Sequence, residues 1–449
     1  MPGDPSKPYE SKALEMAAKT WSGDRAWLVG GGDVWDAITY DPVTNFVVFG
    51  TAGATPSELH GDFSDLKVSG DRLFSGSIVA VNADTGAYVW HYQTSARTEN
   101  MHIVIADLPI DGVQARRRVA MTVPKNGVFY VLDIRTGKLL SAKRLDGQSV
   151  DAASPAGGGR PQPGPGHNWW PMSYSPVTGL VYVPAHDVRR GDLAPGQMRS
   201  EGKLIAWDPI HQQARWSVEQ PLDTNGGVLA TAGNLVFEGE ATGEFGAYAA
   251  DTGKKVWSVK TGSAIQSVPI TFSAGGQQYV LMPVGLGSGS RLFGRVSNMG
   301  TPESKRGPAR LLAFKIGGKA PFPDTRVIVP PVPQPPPQTA SPEVIERGRA
   351  LFAKHFCSDC HSPGADGSGA WTVDGGIPDL RYMPPAVHRQ WNAIVLNGSR
   401  KQYGMPGFGE PAGFPVVTGR MSQQEADAIH AYVIDVSWKA YHEEQTRPK

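Results

Sequence analysis

Both cysteines of this chain fall in one five-residue string, Cys357-Ser-Asp-Cys360-His361. Two thiols at C-x-x-C spacing can form thioethers with the two vinyl groups of a haem, and the adjoining imidazole then reaches the iron. A zinc site would want two more Cys or His ligands at similar spacing, and the chain has no further cysteine. A thioredoxin-like C-x-x-C would want a βαβ setting, which the flanking sequence lacks. The string therefore reads as covalent haem c, attached through Cys357 and Cys360 and ligated by His361.

A second axial ligand must come from downstream. Met405 lies in Tyr403-Gly-Met-Pro-Gly-Phe408, a Gly/Pro loop on which a thioether can be aimed inward. Met/His ligation raises the potential, which suits an electron acceptor. Met383 and Met421 are the competing sulfurs; Met421 stands at a helix start and reads as packing. His388 and His430 fall on predicted helices as surface or core residues.

Helices must hold these ligands. Ser341-Pro342-Glu343 opens one, with a capping Ser, Pro at the first position and an acid in the first turn. Ile345, Phe352 and Phe356 share its inner face. Val387, Trp391, Ile394 and Val395 predict a second helix, stopped by Gly398. Ser422-Gln-Gln-Glu425 is a capping box ahead of Ala426, Ile429 and Val433 at helical spacing. Residues 342–449 thus read as an all-α cytochrome c domain.

Upstream, residues 319–341 hold eight prolines, including Pro335-Pro336-Pro337. Such a run favours an extended polyproline conformation and predicts a semi-rigid tether between two domains. Residues 1–318 repeat a different pattern. Ile78-Val-Ala-Val-Asn-Ala-Asp-Thr-Gly-Ala-Tyr-Val-Trp90 is a strand, a D-x-T-G-type turn and a strand ending in Trp. Leu204–Trp216 and Phe245–Trp257 repeat it, and Phe129–Ser141 repeats it without the Trp. Asp and Asn start turns by bonding their own backbone, Gly supplies positive φ, and β-branched residues flank them. Four-stranded blocks of this length predict a β-propeller, with blades at 34–90, 101–141, 167–216, 228–257 and 268–316 and the Trp packing between blades.

Composition agrees with a turn-dense, mainly β protein: 54 Gly, 38 Pro and 12 Trp against 19% charged residues. The net charge of +1 implies neither nucleic acid nor an anionic membrane surface as partner. No apolar run approaches the ~18 residues that span a bilayer. Met1-Pro2-Gly3-Asp4-Pro5 has neither a charged nor an apolar leader region, so it does not read as a signal peptide.

Taken together, the chain resembles the quinohaemoprotein alcohol dehydrogenases, periplasmic enzymes whose eight-bladed propeller holds pyrroloquinoline quinone (PQQ) and is fused to cytochrome c. The stretches that carry the resemblance run nearly the whole length. They are Gly3–Tyr9, Gly31–Asp36, Ala80–Gly86, Pro124-Lys-Asn-Gly127, His167-Asn-Trp-Trp-Pro-Met172, Asn225–Gly233 and the cytochrome itself. The resemblance implies that Trp35 is the floor on which the quinone stacks and that Lys125 is the basic residue beside its reactive carbonyls. Asn168 then contacts the cofactor through its amide, with Trp169 beside it. It also implies alcohol oxidation at PQQ with electrons leaving singly through haem c. The acceptor would be an external cupredoxin, cytochrome or quinone.

The chain departs from the family pattern at several points. Gly53, in Thr51-Ala-Gly-Ala54, replaces an Asn that ligates Ca²⁺, and glycine offers no side-chain oxygen. In Glu99-Asn-Met-His-Ile103, His102 stands at or beside the position of the family's catalytic aspartate. Thr224 and Leu286 stand where the family has pocket tryptophans. About three N-terminal blades are missing relative to the family. That predicts a misplaced start, a truncated gene, or a partner chain supplying the remaining blades. The alternative reading is a degenerate propeller–cytochrome that only transfers electrons, or one half of a split enzyme. Haem attachment of this kind places the mature protein in the periplasm.

Overall fold

The computed structural model describes residues 6–22, 32–36, 38–53, 71–94, 102–110, 116–148, 164–189, 199–223, 225–285, 309–322, 331–361, 364–365, 377–409 and 419–446. The described residues fall into two compact units, one up to Phe322 and the other from Pro331 onward.

The first unit is a series of five antiparallel sheets, each formed by strands consecutive along the chain. They span Ile38–Gln93, Val104–Arg144, Gly164–Gln220, Val228–Lys260 and Ile270–Phe314. These are the five expected blades. Each packs on its successor through apolar side chains from both. Val48, Ile78, Ala80 and Trp90 of the first meet Ile103, Ala120, Leu132 and Ile134 of the second. Phe129, Val131, Val119 and Met121 of the second meet Val181, Val183, Ile205 and Trp207 of the third. A blade covered on both faces needs apolar residues at successive positions, which is why Val128–Leu132 is buried throughout rather than at alternate residues.

The recurring Trp locks one blade into the next. Trp90 Nε1 donates to the Ile134 carbonyl at 2.7 Å, and Trp216 Nε1 to the Ala250 carbonyl at 3.0 Å. Each indole lies on the Gly that ends the neighbouring D-x-T-G turn, Gly137 and Gly253, both at positive φ. A β-carbon at either glycine would stand 2.6 Å from the ring.

The second unit is helical: Pro342–Lys354, Cys357–His361, Pro385–His388, Trp391–Val395 and Gln423–Thr446. Its core gathers Leu351, Phe352, Met383, Trp391, Ile394, Met421, Ile429 and Val433. The expected capping box is formed: Ser422 N donates to Glu425 Oε2 at 2.9 Å, and Glu425 N to Ser422 Oγ at 3.2 Å.

Two sequence expectations need revision. The helix predicted across Val387–Val395 breaks into two, with i→i+3 bonding from Gln390 N to Val387 O at the break. The break lets Trp391 stack on His430 at 4.6 Å and donate its indole N–H to the Ala426 carbonyl. The proline segment is also more than a tether. Trp438 Nε1 donates to Pro336 O, Gln338 Nε2 to Ala431 O, and Val332 N to Glu444 Oε2, each at 2.8 Å. Residues 332–338 therefore lie along the last helix, because a polyproline strand keeps its carbonyls unused by internal hydrogen bonds.

Candidate cofactor sites

In the propeller unit, the Pro124–Gly127 turn of the second blade and the Gly164–Trp170 segment of the third are pressed together. Gly127 has φ +71, and a β-carbon there would stand 2.2 Å from Pro165 O. At Gly166 a β-carbon would meet His186 Nε2 at 2.8 Å and Lys125 O at 3.2 Å. Backbone contact this close is open only to glycine.

The expected residues lie on and around this base in two groups. Lys125 Nζ lies 5.9 Å from the centroid of the Trp35 ring, and 46% of Trp35 is exposed. A cation beside an open aromatic face suits a flat, electron-poor ligand. Asn168 is buried, and its Oδ1 accepts from Trp169 N at 3.0 Å. Trp169 stacks on Trp170 at 5.3 Å. Trp170 is itself buried, and its Nε1 has no hydrogen-bond partner among the described residues. That orphaned donor, the exposed Trp35 face and Lys125 together fit a quinone-like ligand bearing carbonyl and carboxylate oxygens.

His102 is fixed beside them. Its Nδ1 accepts from Met172 N at 3.3 Å, while Thr122 Oγ1 donates to its carbonyl at 2.9 Å. Burial, and then the neighbouring His167, push its pKa down to about 4. A neutral imidazole that accepts at Nδ1 carries its proton on Nε2. The nitrogen left over is therefore a donor. Thr224, Leu286 and residues 99–101 lie outside the described residues. Gly53 is described, and among the described residues no group of three or more His, Cys, Asp or Glu side chains could hold a metal ion.

The Asn225-Gly-Gly turn is tied to the same region. Asn225 Nδ2 donates to Gln220 Oε1 at 2.7 Å, and Gln220 Nε2 donates to Glu238 Oε2 at 2.5 Å. Burial holds the Glu238 carboxyl well above the usual carboxylate range. Gly227, pressed against Pro171, joins this turn to the Trp169–Trp170 segment.

In the helical unit, Cys357 and Cys360 sit one turn apart on a short helix, Cys357 half-buried and Cys360 exposed. His361 Nδ1 donates to the Pro378 carbonyl at 3.1 Å. That bond orients the ring, as the outer-shell partner of a metal-bound imidazole does. Met405 is half-buried at the margin of the core to which Cys357 also packs, whereas Met383 and Met421 are buried within it. Gly404, at φ +91, makes the turn that presents Met405. These residues fit haem c. His388 and His430 form a pair, Nδ1 to Nε2 at 2.9 Å, and burial followed by His388 pushes His430 down to about 4.

Comparison with known proteins agrees with both domains. The β-propeller domain of glucose/ethanol/alcohol dehydrogenases matches residues 8–144 and 185–280, and cytochrome c matches residues 345–437. Lupanine 17-hydroxylase [cytochrome c] of a Pseudomonas species is 39% identical over 489 residues, covering 99% of this chain and 67% of its own. The chain belongs to the quinohaemoprotein alcohol dehydrogenase family. Quinohemoprotein alcohol dehydrogenase ADH IIB of Pseudomonas putida is 37% identical over 506 residues, covering 98% of this chain and 67% of its own. Among solved structures, quinohemoprotein alcohol dehydrogenase ADHIIG of Pseudomonas putida HK5 aligns over 98% of this chain and 69% of its own, with a TM-score of 0.71 and 35% identity. The Comamonas testosteroni quinohemoprotein alcohol dehydrogenase aligns over 99% of this chain and 69% of its own, with a TM-score of 0.65 and 32% identity. The chain thus spans about two thirds of these quinohaemoproteins' length. Membership in the family assigns haem c to the helical unit and PQQ to the propeller.

Sequence reasoning named Trp35, Lys125, Asn168, Trp169 and the haem string, and the structure places Lys125 Nζ over the Trp35 ring and Asn168 next to Trp169. Sequence reasoning missed His167, His186 and Pro378. The Gly-Pro-Gly-His run at 164–167 was the available signal for the first of these.

Proposed function

We propose that the chain oxidises an alcohol in a PQQ-dependent reaction and delivers the electrons through covalent haem c to an external one-electron acceptor such as a cupredoxin, a cytochrome or a quinone. The observation that carries this reading is Lys125 Nζ held 5.9 Å from the open Trp35 ring, in the same chain as an oriented C-x-x-C-H histidine. When bound, PQQ supplies the two-electron acceptor and haem c the one-electron outlet.

The chain's own residues do the rest. Trp35 offers a flat face to the ligand. Lys125 places positive charge where negative charge develops on reduction. Asn168 and the Trp170 indole N–H offer an amide and a donor for ligand oxygens. His102, with its proton on Nε2, orients the alcohol oxygen by donating to it; with Nδ1 already accepting from Met172, it is poorly set to take the hydroxyl proton. His361 would hold the haem iron, with Pro378 keeping the proton on its Nδ1, and Met405 would supply a thioether sulfur to it. No step is assigned to Ca²⁺.

The exposed sheet faces at the two ends of the blade series support further blades as a partner, in this polypeptide or another. On the fifth blade, register puts Ile270, Phe272, Tyr279, Leu281 and Leu311 on one outward face. Leu311 is 65% exposed, and Phe272 stacks on Tyr279 at 5.4 Å. On the first blade, Ile38 and Tyr40 are exposed. Uncovered apolar faces of this kind mark interaction surfaces. Covalent haem attachment supports a periplasmic location, and among the described residues no helix is long and apolar enough to cross a membrane.

The degenerate reading, electron transfer without alcohol oxidation, draws on Gly53 and the lack of a metal-holding cluster among the described residues. One experiment separates the two. The full chain, haem attached, is supplied with PQQ and Ca²⁺ and then with primary and secondary alcohols while haem absorbance is followed. Alcohol-dependent haem reduction is expected. Haem that stays oxidised with every alcohol, yet reduces with a chemical reductant, would establish the electron-transfer reading.

A further inference from the structure

We infer that His167 is a buried imidazolium that clamps the Lys125 turn to the Asn168–Trp170 turn and so sets the spacing of the quinone site. Its Nδ1 lies 2.8 Å from the Val123 carbonyl oxygen, and its Nε2 lies 2.7 Å from the Trp170 carbonyl oxygen. Carbonyl oxygens accept and never donate. A ring with a single N–H would press a nitrogen lone pair against one of them at hydrogen-bond distance. The side chain is 0% exposed, so solvent is not at hand to step between. Both nitrogens therefore donate. Charge-assisted bonds of this kind are about twice as strong as neutral ones, which offsets part of the cost of burying the charge.

The neighbouring imidazoles His102 and His186 are held neutral. His102, across from Met172, and His186, paired with Gly166 across the sheet, are each pushed down to about 4 by burial first and by His167 next. Lys125 also disfavours a charge on His186, and Asp187 opposes that effect. Burial outweighs the two carbonyl bonds and draws the His167 pKa below the ordinary histidine value; the charge rests on the two short contacts to carbonyl oxygens, which a ring with one N–H cannot satisfy.

The place of the clamp gives it its role. Val123 lies two residues before Lys125, and Trp170 lies two residues after Asn168. One ring thus joins the turn carrying the basic residue to the turn carrying the amide and the tryptophans. His167 is a positioning residue, and its charge also favours negative charge on a ligand seated there. This functional part rests on the PQQ-binding reading above.

The test uses the full chain with haem attached and ¹⁵N-labelled histidine, with no quinone added. Ring ¹⁵N–¹H spectra at neutral pH should contain one imidazolium with two slowly exchanging N–H protons, absent in His167→Gln. A neutral ring at His167 would overturn the charge assignment. In a second arm, PQQ is titrated by tryptophan fluorescence. His167→Gln should bind at least tenfold more weakly while its haem spectrum stays unchanged; wild-type affinity in that variant overturns the clamp. Should the Gln variant not fold, His167→Arg keeps two donors and the charge, and should hold PQQ more tightly than His167→Asn. Failure of the wild-type chain to bind PQQ would sink the functional part alone, and the spectrum would still decide the clamp.

Discussion

Trp216 of the third blade covers Gly253 of the fourth, so closely that a β-carbon there would stand 2.6 Å from the indole. The glycine is also at φ +72, a conformation that costs other residues. Gly253→Ala combines both penalties, and strain plus overpacking predicts a loss of about 2–4 kcal/mol. Denaturant unfolding of the propeller, read by tryptophan fluorescence, measures it, while the haem absorbance of the same sample should not move. Trp216→Phe keeps the packing and loses one hydrogen bond to Ala250, so its expected cost is smaller, about 1 kcal/mol.

Lys125→Met keeps the length of the side chain and removes its charge from beside Trp35. If the cation stabilises negative charge during turnover, alcohol-dependent haem reduction should fall on the order of 10²-fold or more. Chemical reduction of the haem should be unaffected, which excludes damage to the cytochrome. Trp35→Ala should weaken PQQ binding, and Trp35→Phe should recover part of it by restoring an aromatic face.

Met405→Ala should leave the haem covalently attached but lower its reduction potential, because thioether ligation raises it. Spectroelectrochemical titration reads the shift. Met421→Leu should leave the potential where it was, since Met421 is packed in the core. If instead Met421 or Met383 variants lower the potential and Met405→Ala does not, the assignment of the axial sulfur is wrong. Replacing both Cys357 and Cys360 by Ala should release the haem on denaturation.

The cytochrome should lose stability in acid through Glu425. The backbone N–H of Ser422 first, then Lys354 and the Ser422 hydroxyl, hold its carboxyl down to about 2 against an ordinary 4.5. A lowered pKa in the folded chain means that the carboxylate's contribution is fully present above about pH 4.5 and is lost as pH falls towards 2. Glu425→Gln should therefore flatten that part of the stability profile, as followed by haem absorbance in acid titrations. A variant with the parent's acid limb would show that other carboxylates control it.

Much of this was legible from local chemistry. The D-x-T-G turns announced the blades because Asp, Thr and Gly build a turn from their own side chains and φ preferences, whatever surrounds them. The haem string was legible because its chemistry needs a fixed spacing. His167 was not, since its meaning depends on a contact with Val123, 44 residues away, that exists only once two blades pack. Pro378 acts through a backbone carbonyl, which leaves no trace in residue type. The helix break after His388 goes with the stacking of Trp391 on His430, again a distant partner. The proline run had the composition of a spacer, and only the Trp438 donor revealed where it lies.

Because each sheet shares its apolar core with its immediate neighbours, the propeller unit behaves as a one-dimensional row of coupled elements. In such a row, opening begins at the ends and reaches the middle last. Asn168 and Trp169 belong to the third sheet of five, and Lys125 to the second. Among the five sheets described, amide exchange should therefore be slower around Lys125 and Asn168–Trp169 than at Ile38–Gly50 and Ile270–Phe314, so that Trp35, just before Ile38, sits on a margin that loosens first while Lys125 and Asn168 stay assembled.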